Sequence, residues 1–331
     1  MQVIRKILVA VKNPDARSQP GVDKAVQVAK MLGASIELFH AISTPVFMEI
    51  EPLAGRSLAQ VKSESLALRQ KRLEKLGARA RKRGVTASCA VEWDFPPYEA
   101  IVRRAAKTHP HLIIAECHQG QRLKPWLVHL TDWELLRTSP VPVLLLKNAK
   151  PWRKPVVLAA VDPAHTHAKP ARLDAQIVAQ AVQLSHVLKG SLQVMHANYP
   201  SLVGLTLGDP ALDAAMLAAT YEQLKAEDAR VFTAFAEKAR IPRARRRLLN
   251  GDPVQCIPDA ARKLGASLVV MGAVSRSGLK RVFIGNTAER VLSALPCDVL
   301  VLKPEHFKTR VVPKVRGMRI VAPPPVVPLP I

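Results

Sequence analysis

At 331 residues, the chain is long enough for two domains of about 150 residues each. With 48% hydrophobic and only 4% aromatic residues, rich in Ala, Val and Leu, each half can bury a core of helices packed on a sheet. The net charge of +23 is spread evenly, with 24 basic against 13 acidic side chains in residues 1–150 and 25 against 13 in the rest. Such a field attracts polyanions in a salt-dependent way, with denser runs at Arg79–Arg83 and Arg243–Arg247. No zinc finger or RNP-like segment accompanies it, which argues against a dedicated nucleic-acid module. No apolar run approaches the roughly 18–20 residues of a membrane span. The early apolar run is too short for a signal core and lacks a cleavage site. Cys89, Cys117, Cys256 and Cys297 are widely spaced without CxxC pairing, as reduced thiols are. The expectation is a soluble cytoplasmic protein.

The first strand is expected over Ile4–Val11, followed by a loop with Pro14 and Pro20 and a helix near Val22–Leu32. A strand at Ser35–Ile42, a long amphipathic helix near Ser57–Arg83 and a strand at Thr86–Trp93 come next. A helix near Pro97–Lys107, a strand at Leu112–Glu116, a long loop, a helix near Asp132–Thr138 and a strand at Val141–Lys147 complete the unit. The polar segment Asn148–Pro155 reads as a linker.

The pattern then repeats. Residues 112–147 align without a gap on residues 268–303 at a constant offset of 156. The run Val156–Val161 with Asp162-Pro163 matches the first strand and Asn13-Pro14 at offset 149, which implies seven extra residues before the next helix. Ser35–Ala41 faces Ser191–Ala197, and Pro97 faces Pro253. Apolar strands separated by helices imply parallel sheets covered on both faces. The expected architecture is two tandem doubly wound α/β domains, residues 1–147 and 156–304, packed as an internal pseudo-dimer. From residue 305 the chain is basic and ends in VAPPPVVPLPI, proline-dense enough to imply an extended or disordered tail, with crossing to the other domain as an alternative.

The two copies differ where ligand chemistry would lie. The second has Gly272 at the end of a strand and Gly285 just before a helix, and the first has Glu116 and His129 at those positions. In a doubly wound sheet, ligands sit beyond the carboxyl ends of the strands where strand order reverses. Glycines there let backbone N–H groups approach an anion, and a helix N-terminus adds positive potential. Arg276, Lys280 and Arg281 add cations, and Asp162 could accept from a ribose hydroxyl or an adenine amino group.

Gly272-x2-Ser275-x9-Gly285-Asn286 resembles the G-x2-G-x9-G-S/T nucleotide motif of the universal stress protein family. The likeness spans roughly residues 1–305. Within the family, the segment GAVSRSGLKRVFIGNTAERV and the earlier TDWELLR are most similar to the E-type tandem members. The resemblance implies five-stranded parallel domains that bind ATP or a related phosphorylated small molecule between the first and fourth strands. It implies no defined catalytic reaction and no metal beyond a nucleotide-associated magnesium. A cytoplasmic role in surviving stress, including DNA damage, comes with it. Mapped onto this chain, the ligand residues are Asp162, Met271, Gly272, Ser275, Gly285, Asn286 and Thr287. Ser275 replaces the second glycine of the motif, and Asn286 replaces its hydroxyl residue, with Thr287 adjacent. Asn286-x-x-Glu289 also reads as a helix capping box, as does Thr131-x-x-Glu134.

Other residues are weighed against plainer roles. His40 and His196 stand at equivalent strand ends, where satisfaction within the fold is expected. Glu116-Cys117-His118 cannot readily chelate one ion, because adjacent residues of an extended chain face opposite sides. His165-Thr166-His167 has spacing for a surface metal but no visible third ligand. The apolar stretch Tyr199–Met216 reads as a cleft cover or as packing between domains. An interaction protein that uses its basic surface on a partner or nucleic acid, without nucleotide, is the alternative function; association of two chains stays open.

Overall fold

A computed structural model describes residues 3–43, 46–47, 57–117, 131–164, 172–200, 214–273, 286–317 and 320–321. It divides into two compact units: Val3–Val141 with Thr309–Ile331, and Met1–Gln2 with Pro142–Lys308.

The unit built on the first repeat runs β1 (Lys6–Ala10), α1 (Pro20–Leu32), β2 (Ser35–Ile42), β3 (Val46–Phe47), α2 (Leu58–Lys82), β4 (Ala87–Trp93), α3 (Pro97–Thr108), β5 (Leu112–Glu116) and α4 (Thr131–Thr138). Its strands pair in the order β4-β2-β1-β5, all parallel. Ile7, Leu8, Leu38, Ile113 and Ile114 are fully buried, as continuous apolar strands covered on both faces must be. Pro20 at the first turn presets the α1 backbone, and Gly33 ends that helix at φ 64. Ser57 and Gln60 close α2 with a reciprocal capping box.

The other unit runs β6 (Val143–Leu146), β7 (Val156–Ala160), α5 (Leu173–Val187), β8 (Ser191–Asn198), α6 (Ala214–Lys238), β9 (Arg246–Asn250), α7 (Pro253–Lys263), β10 (Ala266–Gly272), α8 (Asn286–Ala294) and β11 (Asp298–Leu302). Strands β9-β8-β7-β10-β11 form the five-stranded parallel sheet expected of the second repeat. In both units strand order reverses beside the first strand of the repeat, between β1 and β5 and between β7 and β10.

Three features go beyond the strand pattern read from the sequence. The fifth strand of the first repeat, β6, belongs to the second unit, where it runs antiparallel to β11 with Leu145 opposite Val299. The segment after it is not a free linker. Fully buried Asp298 accepts from the Lys147 and Asn148 N–H groups at 2.8 and 2.9 Å and from Trp152 Nε1 at 2.9 Å, which buries the indole. A carboxylate held by three donors fixes the chain from β6 toward β7.

The third is the tail, whose proline-dense end, residues 322–331, lies outside the described residues. Its described residues pack with the first repeat, and a twelfth strand, β12 (Ile320–Val321), pairs in parallel with β3. The anchor is ionic. Arg103 donates to Asp94 at 2.7 Å and to Glu99 at 2.9 Å, all three side chains being nearly inaccessible. The tail completes this cluster: Arg316 N–H donates to Asp94 at 2.9 Å, its guanidinium to Glu99 at 2.8 Å, and the Val312 carbonyl accepts from Arg103 at 3.3 Å. The buried carboxylates need these donors, because a buried charge without partners is costly.

A chain ending at Lys308 should therefore lose about 1–3 kcal/mol in urea unfolding of the first unit, from donors removed at buried acids. Arg316→Ala keeps the backbone donor and loses only a half-exposed ion pair, so its cost should be about 1 kcal/mol or less. Equal costs for the two variants would contradict the anchoring of the tail.

Candidate functional site

The strand order places the site of the second repeat at the carboxyl ends of β7 and β10, which pair with Ala160 opposite Met271. Asp162 lies two residues past β7, and Met271 and Gly272 end β10. The Asp162 N–H donates to Asp174 Oδ1 at 2.9 Å, which fixes the turn. Its carboxylate is about a third exposed, with Oδ1 3.8 Å from His196 Nδ1. Asn286 and Thr287 open α8, as a helix start in the motif requires. The structure thus brings Asp162, Met271 and Gly272 to neighbouring strand ends. Ser275, Gly285, Arg276, Lys280, Arg281, His118, His129, His165, Thr166 and His167 lie outside the described residues, as do most of Tyr199–Met216 and the side chains of Thr131 and Asn286.

Gly272 has a packing cause that its position alone does not show. A Cβ there would lie 2.7 Å from Leu173 Cδ2 and 3.2 Å from Ile177 Cδ1, both on α5 and both buried. The first repeat solves the same contact in reverse. Its glycine is on the helix: Gly21, whose added Cβ would meet Glu116 Oε1 at 2.8 Å. Gly21 and Ile177 correspond at the offset of 156 that also relates Glu116 to Gly272. One repeat pairs a helix glycine with a strand glutamate; the other pairs a helix isoleucine with a strand glycine. Glu116 uses the space to accept the Gly21 N–H at 2.7 Å, holding a free donor in the first turn of α1.

The register corrects the expected pairing of strand ends. Val11 N–H donates to Phe39 O and Val161 N–H to Met195 O, so Val11 corresponds to Val161 at offset 150. The pairings Ala10↔Ala115 and Ala160↔Met271 give the same result. The counterpart of Asp162 is therefore Lys12 and not Asn13, and six extra residues follow rather than seven. A second exchange lies on the long helices: α2 and α6 correspond throughout at offset 156, which sets Arg72 opposite Asp228.

The histidines are satisfied within the fold. His40 Nδ1 lies 2.8 Å from Val11 O and His196 Nδ1 3.1 Å from Val161 O. A carbonyl only accepts, so Nδ1 carries a proton in both rings. His196 Nε2 lies 3.4 Å from Asp228 Oδ2, and its ring stacks on Phe232 at 5.6 Å. In the first repeat that helix position is basic. Asp15 receives Arg69 at 2.6 Å and also Arg72. Burial lowers the His40 pKa despite its bond to Val11 O, leaving a neutral ring with Nε2 as acceptor. Burial also lowers the Lys12 pKa, opposed by Asp132, Glu116 and Cys117. Sequence reasoning passed over Lys12 and Arg72; only the one-residue change of register reveals the first.

Among the described residues, no group of three His, Cys, Asp or Glu side chains is arranged to hold a metal ion. No described helix is long and apolar enough to cross a membrane. Lys303, at the end of β11 and 8% exposed, donates to Ala273 O at 3.3 Å and lies 4.8 Å from the Phe307 ring centre. Burial lowers its pKa from 10.5 to about 8.

A profile of the Universal stress protein family matches residues 4–147 and 157–303. Universal stress protein E of Salmonella typhi is 27% identical over 94% of this chain and 98% of its own length, and that of Escherichia coli K12 is 26% identical over the same shares. Among solved structures, a putative universal stress protein from Pseudomonas aeruginosa UCBPP-PA14 superposes with a TM-score of 0.68 at 28% identity, over 91% of this chain and 94% of that one. One from Archaeoglobus fulgidus DSM 4304 superposes with a TM-score of 0.56 at 16% identity, over 90% and 96%.

Two outcomes check this geometry. Gly272→Ala should destabilise the second unit by about 1–3 kcal/mol through overpacking, and adding Leu173→Ala should recover part of that loss in a double-mutant cycle. Strict additivity would contradict the contact. Lys303 binds fewer protons folded than unfolded between pH 8 and its ordinary 10.5, so stability rises with pH across that window. Lys303→Met should therefore be more stable than wild type at pH 7, with an advantage that shrinks from pH 8 to 10.5 in chemical denaturation.

Proposed function

The chain belongs to the universal stress protein family, and we propose that it is a cytoplasmic stress-response protein whose second repeat binds ATP or a related phosphorylated small molecule. The observation that carries the reading is Asp162, an accessible carboxylate just past β7, beside the end of β10 where strand order reverses. An acceptor there suits an adenine amino group or a ribose hydroxyl. Anionic phosphates would lie toward the start of α8, whose first-turn N–H groups favour negative charge. Gly272 adds less to this reading than its place in the motif suggests, because its contact with the Leu173 and Ile177 side chains of α5 also favours a small residue. Asp162, Met271, Ser275, Gly285, Asn286 and Thr287 complete the proposed ligand set, with magnesium arriving only on the nucleotide. The role is binding rather than catalysis, in survival of stress that includes DNA damage. A second reading, contact with polyanions, draws on Arg243 and Arg245, exposed just ahead of β9 at the edge of the second unit's sheet. Duplex DNA binding lost at moderate salt and indifferent to sequence would mark it as nonspecific.

Calorimetry of the purified chain with ATP, ADP and AMP tests the nucleotide. Binding should be lost in Gly285→Asp and weakened roughly tenfold or more in Asp162→Ala, the loss of one hydrogen bond to a charged acceptor. His129→Gly should create no new site. No heat from any of the three nucleotides at millimolar concentration would refute the proposal.

A further inference from the structure

The first repeat is not only a scaffold whose site has decayed. A cavity of about 290 Å³ opens at the carboxyl ends of β1 and β2, lined by Lys12, Asn13, Asp15, His40, Ser43 and Arg69 among others. Its size is near the small end of ligand pockets, about 300 Å³. Its chemistry inverts that of the second repeat: Lys12 stands where Asp162 stands, and Arg72 where Asp228 stands.

The charges do not cancel at the cavity wall. Asp15 is the acid among these lining residues, and it is engaged by two guanidiniums, Arg69 and Arg72. Glu116, at the end of the neighbouring strand β5, is already committed to the Gly21 N–H. An anion in the cavity would meet the Lys12 ammonium and the Arg69 guanidinium on its wall. Asn13 Oδ1 accepts from Asp15 N–H at 2.9 Å, which leaves its NH2 as a donor. His40, with Nδ1 committed to Val11 O, offers Nε2 as an acceptor for a hydroxyl. Lys12, Asn13 and Asp15 are exposed, so a solute can reach the cavity.

We propose that this cavity binds a small hydroxylated anion, a phosphate monoester or a carboxylate, with Lys12 and Arg69 holding the charge and His40 accepting a hydroxyl. The site is separate from the nucleotide site proposed for the second repeat, and its ligand belongs to a different class.

Titration of the full chain with ribose 5-phosphate, gluconate and uncharged ribose, followed by calorimetry, tests it. One or both anions should bind at millimolar concentration or below, and ribose at least tenfold more weakly; the two anions separate a phosphate ligand from a carboxylate. Lys12→Gln should weaken the anion at least tenfold, Lys12→Arg should restore it, and Gly285→Asp should leave it unchanged. A wild-type crystal soaked in ribose 5-phosphate, which needs no variant to fold, should place the anion in contact with Lys12 Nζ. Anions no better than ribose, affinity unchanged in Lys12→Gln, or an anion seated away from Lys12 would each overturn the proposal. ATP binding that persists in Lys12→Gln keeps the outcome for the second repeat separate.

Discussion

The contact between the first helix of each repeat and the end of its fourth strand has room for only one side chain, and the two repeats give that room to opposite partners. In the first, Gly21 yields to Glu116; in the second, Gly272 yields to Leu173 and Ile177. The strand end is polar in one repeat and sealed by apolar atoms in the other. Glu116 both caps α1 and adds a negative charge near Lys12. In the second repeat the strand end has no acidic side chain: Lys303 donates to the next carbonyl, Ala273 O, and Asp162 lies past the neighbouring strand.

From this constraint the rest of each site follows. Parallel strands buried on both faces tolerate little polar change, so the duplicated core keeps its apolar pattern. Residues just past the strand ends, such as Lys12 and Asp162, reach solvent, and there charge can invert without cost to the core. Lys12 against Asp162 and Arg72 against Asp228 are such inversions around a histidine that both repeats hold to a backbone carbonyl in the same way. The shared histidine–carbonyl bond gives the two repeats a common frame, around which the charges are inverted.

Much of the fold was legible in the sequence because it is written in periodic apolar runs. The parallel strands, the long helices at offset 156 and the reversal of strand order all follow from that pattern. What stayed hidden depends on partners remote in the chain. Matching prolines at Pro14 and Pro163 favoured offset 149, whereas hydrogen bonds of Val11 and Val161 to the neighbouring strand set 150. The packing constraint on Gly272 stayed hidden because its steric partners lie in α5. Arg316 of the tail meets Asp94 across 222 residues of sequence, a contact that composition does not reveal, and the proline-dense end lies outside the described residues. The segment after β6 reads as a linker because its anchor, Asp298, lies 151 residues from Lys147. Asp162 was marked by its place past a strand end and Gly272 by the motif, and both lie at adjacent strand ends, whereas nothing in the sequence marked Lys12.

If one duplicated frame carries two opposite site chemistries, a crystal structure of the full chain grown with ATP and ribose 5-phosphate together shows it most directly. The expected result is an adenosine moiety against Asp162 in the second repeat and a sugar phosphate against Lys12 in the first, with His40 and His196 each bonded to its own strand-end carbonyl. The same ligand bound alike in both repeats, or Asn13 rather than Lys12 in the position equivalent to Asp162, would contradict it.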